Sequence, residues 1–105
     1  MAGLWLWKGG AGLFPVAREL VWQLPADRAA IQTVEVQLWD GTLLVKREEV
    51  RTPNGAGPDL VERLALRAGT YQARAFVTRQ GSAAPQVYAS QVRLGDEETV
   101  VIPIR

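Results

Sequence analysis

From Val16 onward apolar and polar residues alternate, and residues that favour turns interrupt the alternation every 8 to 12 positions. A period of two places successive side chains on opposite faces of a β-strand, whereas a helix buries a face with a period of 3.6. Short alternating runs, punctuated this regularly, are the rhythm of a β-sandwich or barrel. In residues 18–24, Leu20, Trp22 and Leu24 share one face and Pro25 ends the run; residues 25–30 make a connection with room for one helical turn. Residues 31–39 and 42–50 alternate on either side of Asp40-Gly41. Asp-Gly between two such runs predicts a hairpin with a type I′ turn. In the register that turn dictates, Trp39 faces Thr42, Leu38 meets Leu43, Val36 meets Val45, and Glu35 forms a cross-strand ion pair with Lys46.

Residues 52–59 hold two prolines and two glycines and read as a loop. Leu60–Leu66 follows, with Leu64 and Leu66 in phase, and then residues 70–79, with Tyr71, Ala73, Ala75 and Val77 on one face. Gln86–Leu94 and residues 98–104 complete a count of seven strands, and Pro103, which has no N–H to donate, marks the last as an edge. The connections are too short for parallel crossovers between successive strands. The expectation is an all-β fold: a two-layer antiparallel, Greek-key sandwich of about seven strands in one domain, residues 16–105. A chain of 105 residues has material for one core of this kind and not two.

The most informative stretch is Leu64-Ala65-Leu66-Arg67-Ala68-Gly69-Thr70-Tyr71. A strand ends, a glycine permits a sharp corner, and a tyrosine opens the next strand. This resembles the tyrosine corner of Greek-key sandwiches, in which the phenol bonds backbone a few residues upstream. With the strands that follow it, the stretch is similar to immunoglobulin-like and transthyretin-like modules, and to carboxypeptidase regulatory-like domains. The likeness implies a sandwich, and the first half of the chain lacks the Asp-Gly-x-Phe segment of the regulatory-like domains. Such a sandwich hosts many unrelated roles, so the resemblance implies an architecture and not an activity.

The residue inventory argues against an enzyme. The chain has no cysteine and no histidine, so thiolate chemistry, the commonest general base and the commonest metal ligand are missing together. Glu48 and Glu49 are adjacent on a predicted strand and point to opposite faces, so they cannot act as a pair. Asp40, Asp59 and Asp96 sit among turn residues, where a short carboxylate bonds its own backbone. Asp96-Glu97-Glu98 lacks the spaced carboxylates of a calcium loop. Neither serine, Ser82 or Ser90, has a nucleophile-elbow context. The expectation is no catalytic residue, no metal and no cofactor. A net charge of +1 and the lack of a basic stripe with interleaved aromatics argue against a nucleic-acid partner.

Binding has more support. With the Tyr71 face buried, Arg74 and Phe76 point outward, Arg93 follows on the neighbouring strand, and Trp39 lies off the buried phase beside the hairpin turn. These four residues form the candidate binding face, for a protein or, as the alternative, a glycan. Residues 1–15 differ from the rest: nine of the first fourteen are apolar, four glycines interrupt them, and Lys8 is the only charge. That is far short of the roughly 20 apolar residues that span a bilayer. Trp5, Trp7 and Lys8 nevertheless match the interfacial end of a membrane segment, where such side chains sit at headgroup level; a first strand pairing with the domain, or a disordered leader, is the alternative. The sequence reading is a non-enzymatic interaction or structural module of an envelope-associated or secreted bacterial protein, with a protein partner and a membrane surface met through residues 1–14. A cytoplasmic residence is the alternative.

Overall fold

Every alternating run from Val16 onward is a strand. The computed structural model describes residues 14–51 and 59–105. Its strands are β1 (Val16–Gln23), β2 (Ile31–Asp40), β3 (Leu43–Arg51), β4 (Leu60–Leu66), β5 (Gly69–Arg79), β6 (Gln86–Leu94) and β7 (Thr99–Pro103), with one 3-10 turn at Arg28–Ala30. They form a sheet of three strands, ordered β4-β1-β7, packed on a sheet of four, ordered β3-β2-β5-β6. The fold is therefore the all-β two-layer sandwich that the alternation predicts. All pairings are antiparallel except β1 with β7. Those two strands lie at opposite ends of the chain, so the short connections between successive strands do not constrain them. Pro103 lies on an edge strand, where its missing N–H costs no ladder bond. Residues 1–13, which include Trp5, Trp7 and Lys8, and the loop 52–58 lie outside the described residues.

The core is the set of in-phase side chains. Leu20, Trp22 and Leu24 from β1 and its end meet Val34, Val36 and Leu38 from β2 and Tyr71, Ala73, Ala75 and Val77 from β5, all buried. Trp22 is the largest side chain among them. Burying an aliphatic side chain of this kind contributes roughly 1.5–3 kcal/mol, which is why the phase of each strand decides the fold.

The corner forms as the motif predicts. The Tyr71 hydroxyl donates to the Arg67 carbonyl at 2.8 Å. Arg18, buried in phase with Leu20, donates from Nε to the preceding carbonyl, Leu66, at 3.0 Å and from Nη1 to the Glu97 carbonyl at 2.9 Å. Two side chains thus grip successive carbonyls where the chain leaves one sheet for the other. Gly69 takes φ +150° there, a backbone conformation that a side chain rarely adopts.

The hairpin differs from the expected register. Gly41 has φ +59°, and among the described residues no non-glycine has positive φ, so a type I′ turn on Asp40-Gly41 is ruled out. The loop is Gly41-Thr42 instead, with glycine at the first central position as in a II′ turn. Asp40 then pairs with Leu43 and Trp39 with Leu44. A bulge follows between Leu38 and Trp39, after which Leu38 meets Lys46, Val36 meets Glu48 and Glu35 meets Glu49. The shifted turn keeps each side chain on its expected face, but the single-residue bulge flips those from Lys46 onward. Leu43 is left exposed, Val45 packs against the core and does not pair with Val36, and Glu35 finds Arg47 in place of Lys46.

Candidate interaction surface

The outer face of the four-stranded sheet collects all four residues of the predicted binding face. The β2–β5 register sets Trp39 opposite Gln72, Gln37 opposite Arg74 and Glu35 opposite Phe76. The Arg74 guanidinium lies over the Trp39 ring at 5.3 Å from its centroid, a cation–π contact between diagonal neighbours. The indole N–H donates to Gln37 Oε1 at 2.9 Å, the Gln37 amide donates to Glu35 Oε2 at 2.5 Å, and Arg47 donates to Glu35 Oε1 at 2.9 Å. The Arg47 guanidinium and the Gln37 amide hold the Glu35 carboxyl below the usual carboxylate range. Trp39 and Arg74 therefore form one ordered polar row with Gln37, Glu35 and Arg47. Phe76 lies one pleat further along β5, beside Val87 of β6. Val87 is 54 % exposed, so this pair supplies the apolar part of the face. Arg93 pairs with Thr70 near the other end of β6, apart from both groups.

β6 itself borders this face as an edge. It pairs with β5 over nine residues without a bulge, and among the described residues no strand pairs with its other side. Arg93 is its only charged residue, and it contains no proline. The remaining edges are blunted. β3 carries Lys46, Arg47, Glu48, Glu49 and Arg51 together with the bulge; β4 carries Glu62 and Arg63; β7 has five residues and ends in Pro103. Charge, proline, bulges and shortness are the devices by which sheet edges avoid accepting foreign strands, and β6 has only the single charge of Arg93 near one end.

Other polar groups are spent on the fold. Arg79 donates to Asp27 at 2.6 Å, to Gln86 at 2.8 Å and to the Tyr88 hydroxyl at 2.9 Å beside a cleft of about 390 Å³, tying the β1–β2 connection to β5 and β6. Asp59 accepts the Leu24 amide at 3.0 Å and pairs with Arg28 at 3.1 Å. The Glu97 carboxylate accepts the Gly95 amide at 2.9 Å, which closes the turn before β7 and lowers its pKa.

One group was hidden by the alternation. Glu62 occupies the phase of Leu60, Leu64 and Leu66 and is 5 % exposed. Its Oε1 accepts the Trp22 indole N–H at 2.7 Å, while its Oε2 has no donor among the described residues. Burial and the neighbouring Glu48 carboxyl push its pKa up to about 7. The signal for it was a glutamate set in a row of leucines at every second position.

Among the described residues no three carboxylates gather into a metal-sized group, and no helix is long and apolar enough to cross a membrane. No protein-family model matches the chain, and neither does any curated protein or solved structure.

Proposed function

We propose that the protein is a non-enzymatic interaction module that accepts an extended segment of a partner protein along β6. The observation that carries this reading is the contrast among the four edges: three are blunted, and β6 is long, regular and nearly uncharged. A strand added there gains backbone hydrogen bonds along its length, and its alternate side chains select among partners. On the outer face those side chains would lie beside Val87 and Ala89, within reach of Phe76 and Arg74. Glycan binding is the second reading, through the rings of Trp39 and Phe76. It ranks second because Arg74 already lies over the Trp39 ring.

Between the immunoglobulin-like and transthyretin-like modules that the corner resembles, strand order favours the transthyretin-like one. An immunoglobulin constant domain joins its first strand to its second within one sheet. Here β1 pairs with β4 and β7. The envelope setting rests on the leader, whose Trp5, Trp7 and Lys8 suit a headgroup layer. Co-sedimentation of the chain with anionic vesicles, compared with a Trp5→Ala/Trp7→Ala variant, tests that part.

The test of the β6 reading is a library of displayed extended peptides, followed by amide-exchange mapping of the bound state. Binders should protect amides of β6 and leave those of β3 unchanged. Ala89→Pro, which distorts the edge, should abolish their binding while the core stays folded. Binders that protect other strands, or a library without binders, would overturn the proposal.

A further inference from the structure

Glu62 of β4 is buried, and the exposed Glu48 of β3, in the other sheet, is close enough to act on it. The bulge in the hairpin sets Glu48 opposite Val36 and Lys46 opposite Leu38, which turns both toward the inner side of β3. Glu62 projects inward from β4. A buried carboxylate with one satisfied oxygen and one orphaned oxygen is costly to hold ionised. A second carboxyl beside it supplies no donor unless one of the two carries a proton. With that proton, the orphaned Oε2 gains a partner and the two strands gain a direct link.

We propose that Glu62 is a proton-operated latch, closed when its protonated Oε2 donates to the Glu48 carboxylate and released when Glu62 ionises, that ties the β3 edge of one sheet to the β4 edge of the other. The groups that face Glu62 are few. β3 contributes Glu48 and Lys46, and the lysine offsets the effect of burial and of Glu48 only in part. β1 contributes the Trp22 indole, which is not titratable, and Leu20, the direct partner of Glu62 across the sheet. Arg18, also on the inner face of β1, sends its guanidinium to the Leu66 and Glu97 carbonyls. β2 presents Val34, Val36 and Leu38 to the interior.

The sign follows from the folded value of about 7 against an ordinary value of 4.5. A carboxyl raised by folding contributes stability that is complete below its unfolded value and is lost as pH rises through the folded one. The folding equilibrium constant should therefore fall by up to about tenfold per pH unit across that window. Release loosens the β3 edge and lets water reach the Trp22 indole behind it.

The test uses the full chain from pH 5 to 8. The Trp22 indole N–H resonance, which reports Glu62 directly, should titrate with a midpoint near 7, and the protection factors of β3 amides should fall over the same range. Glu62→Gln should flatten the stability profile. Glu48→Gln should lower the midpoint by removing the neighbouring charge. A midpoint in the ordinary carboxylate range, β3 protection that ignores pH, or a Glu62→Gln profile that keeps the wild-type slope would each overturn the proposal. The resonance titration on the unmodified chain decides the matter even if a variant fails to fold.

Discussion

Replacing Tyr71 with phenylalanine isolates what the corner contributes. The ring is buried and stays in place, so no cavity forms, and the only group removed is the hydroxyl that donates to the Arg67 carbonyl at 2.8 Å. A net hydrogen bond of this kind is worth about 0.5–1.5 kcal/mol, and leaving its acceptor dry would add about 1–3 kcal/mol. Arg67 is exposed, so water can take over its carbonyl, and the loss should stay near the lower figure, about 1 kcal/mol. In urea the midpoint should fall with the slope unchanged, because the surface exposed on unfolding is the same. A second arm uses pH. Burial, with the nearby Asp40 charge, pushes the Tyr71 phenol above its ordinary value. The stability this confers is complete below the ordinary tyrosine value of about 10 and is lost as pH rises beyond it, because the unfolded chain ionises first. Tyr71→Phe lacks that component, so the gap between the two proteins should close in alkali. A loss under about 0.3 kcal/mol at neutral pH, with no convergence above about pH 10, would refute the corner argument.

Arg18→Met keeps the apolar stem but abandons two carbonyls, and hydrogen bonds from a charged donor predict a loss of roughly 2–3 kcal/mol in the same melts, larger than that of Tyr71→Phe. A double-mutant cycle on Glu35 and Arg47 should give a coupling of about 0.2–1 kcal/mol that fades as pH falls through the carboxylate range, while the same cycle on Glu35 and Lys46 should give none. Gly41→Ala should cost about 1–2 kcal/mol, because residue 41 needs positive φ whatever space surrounds it. Loss of under about 0.3 kcal/mol would mean that the turn does not hold residue 41 at positive φ.

The strands were legible because each exposes a period of two, and Leu20, Trp22, Leu24 and the Tyr71 row are buried where the period puts them. The outward phase of Trp39, Arg74, Phe76 and Arg93 was legible for the same reason. Their grouping was not. Arg74 reaches Trp39 only because β2 and β5 are neighbours, and that pairing joins strands separated by two others in the chain. The hairpin register misled because Asp-Gly marks a turn without saying which residue opens it. A bulge, moreover, leaves no local trace in a strand whose charged residues tolerate either face.

Arg18 and Glu62 show where alternation needs a different kind of reading. Each is a charged residue in the apolar phase of its strand, and each lies on the narrower, three-stranded sheet. Glu62 lies on the edge strand β4 and Arg18 near the start of the interior strand β1, so each long side chain can reach carbonyls or a facing carboxyl at the sheet's boundary. Arg18 uses that reach to hold the corner, with each of its bonded nitrogens on a carbonyl. Glu62 uses it differently, since one oxygen meets Trp22 and the other meets no donor among the described residues. A residue kept for stability alone would be fully paired or apolar, because an unsatisfied buried oxygen costs about 1–3 kcal/mol. The charged break in the alternation that is satisfied therefore belongs to the scaffold, and the one left half-satisfied is where this fold keeps a response to its surroundings.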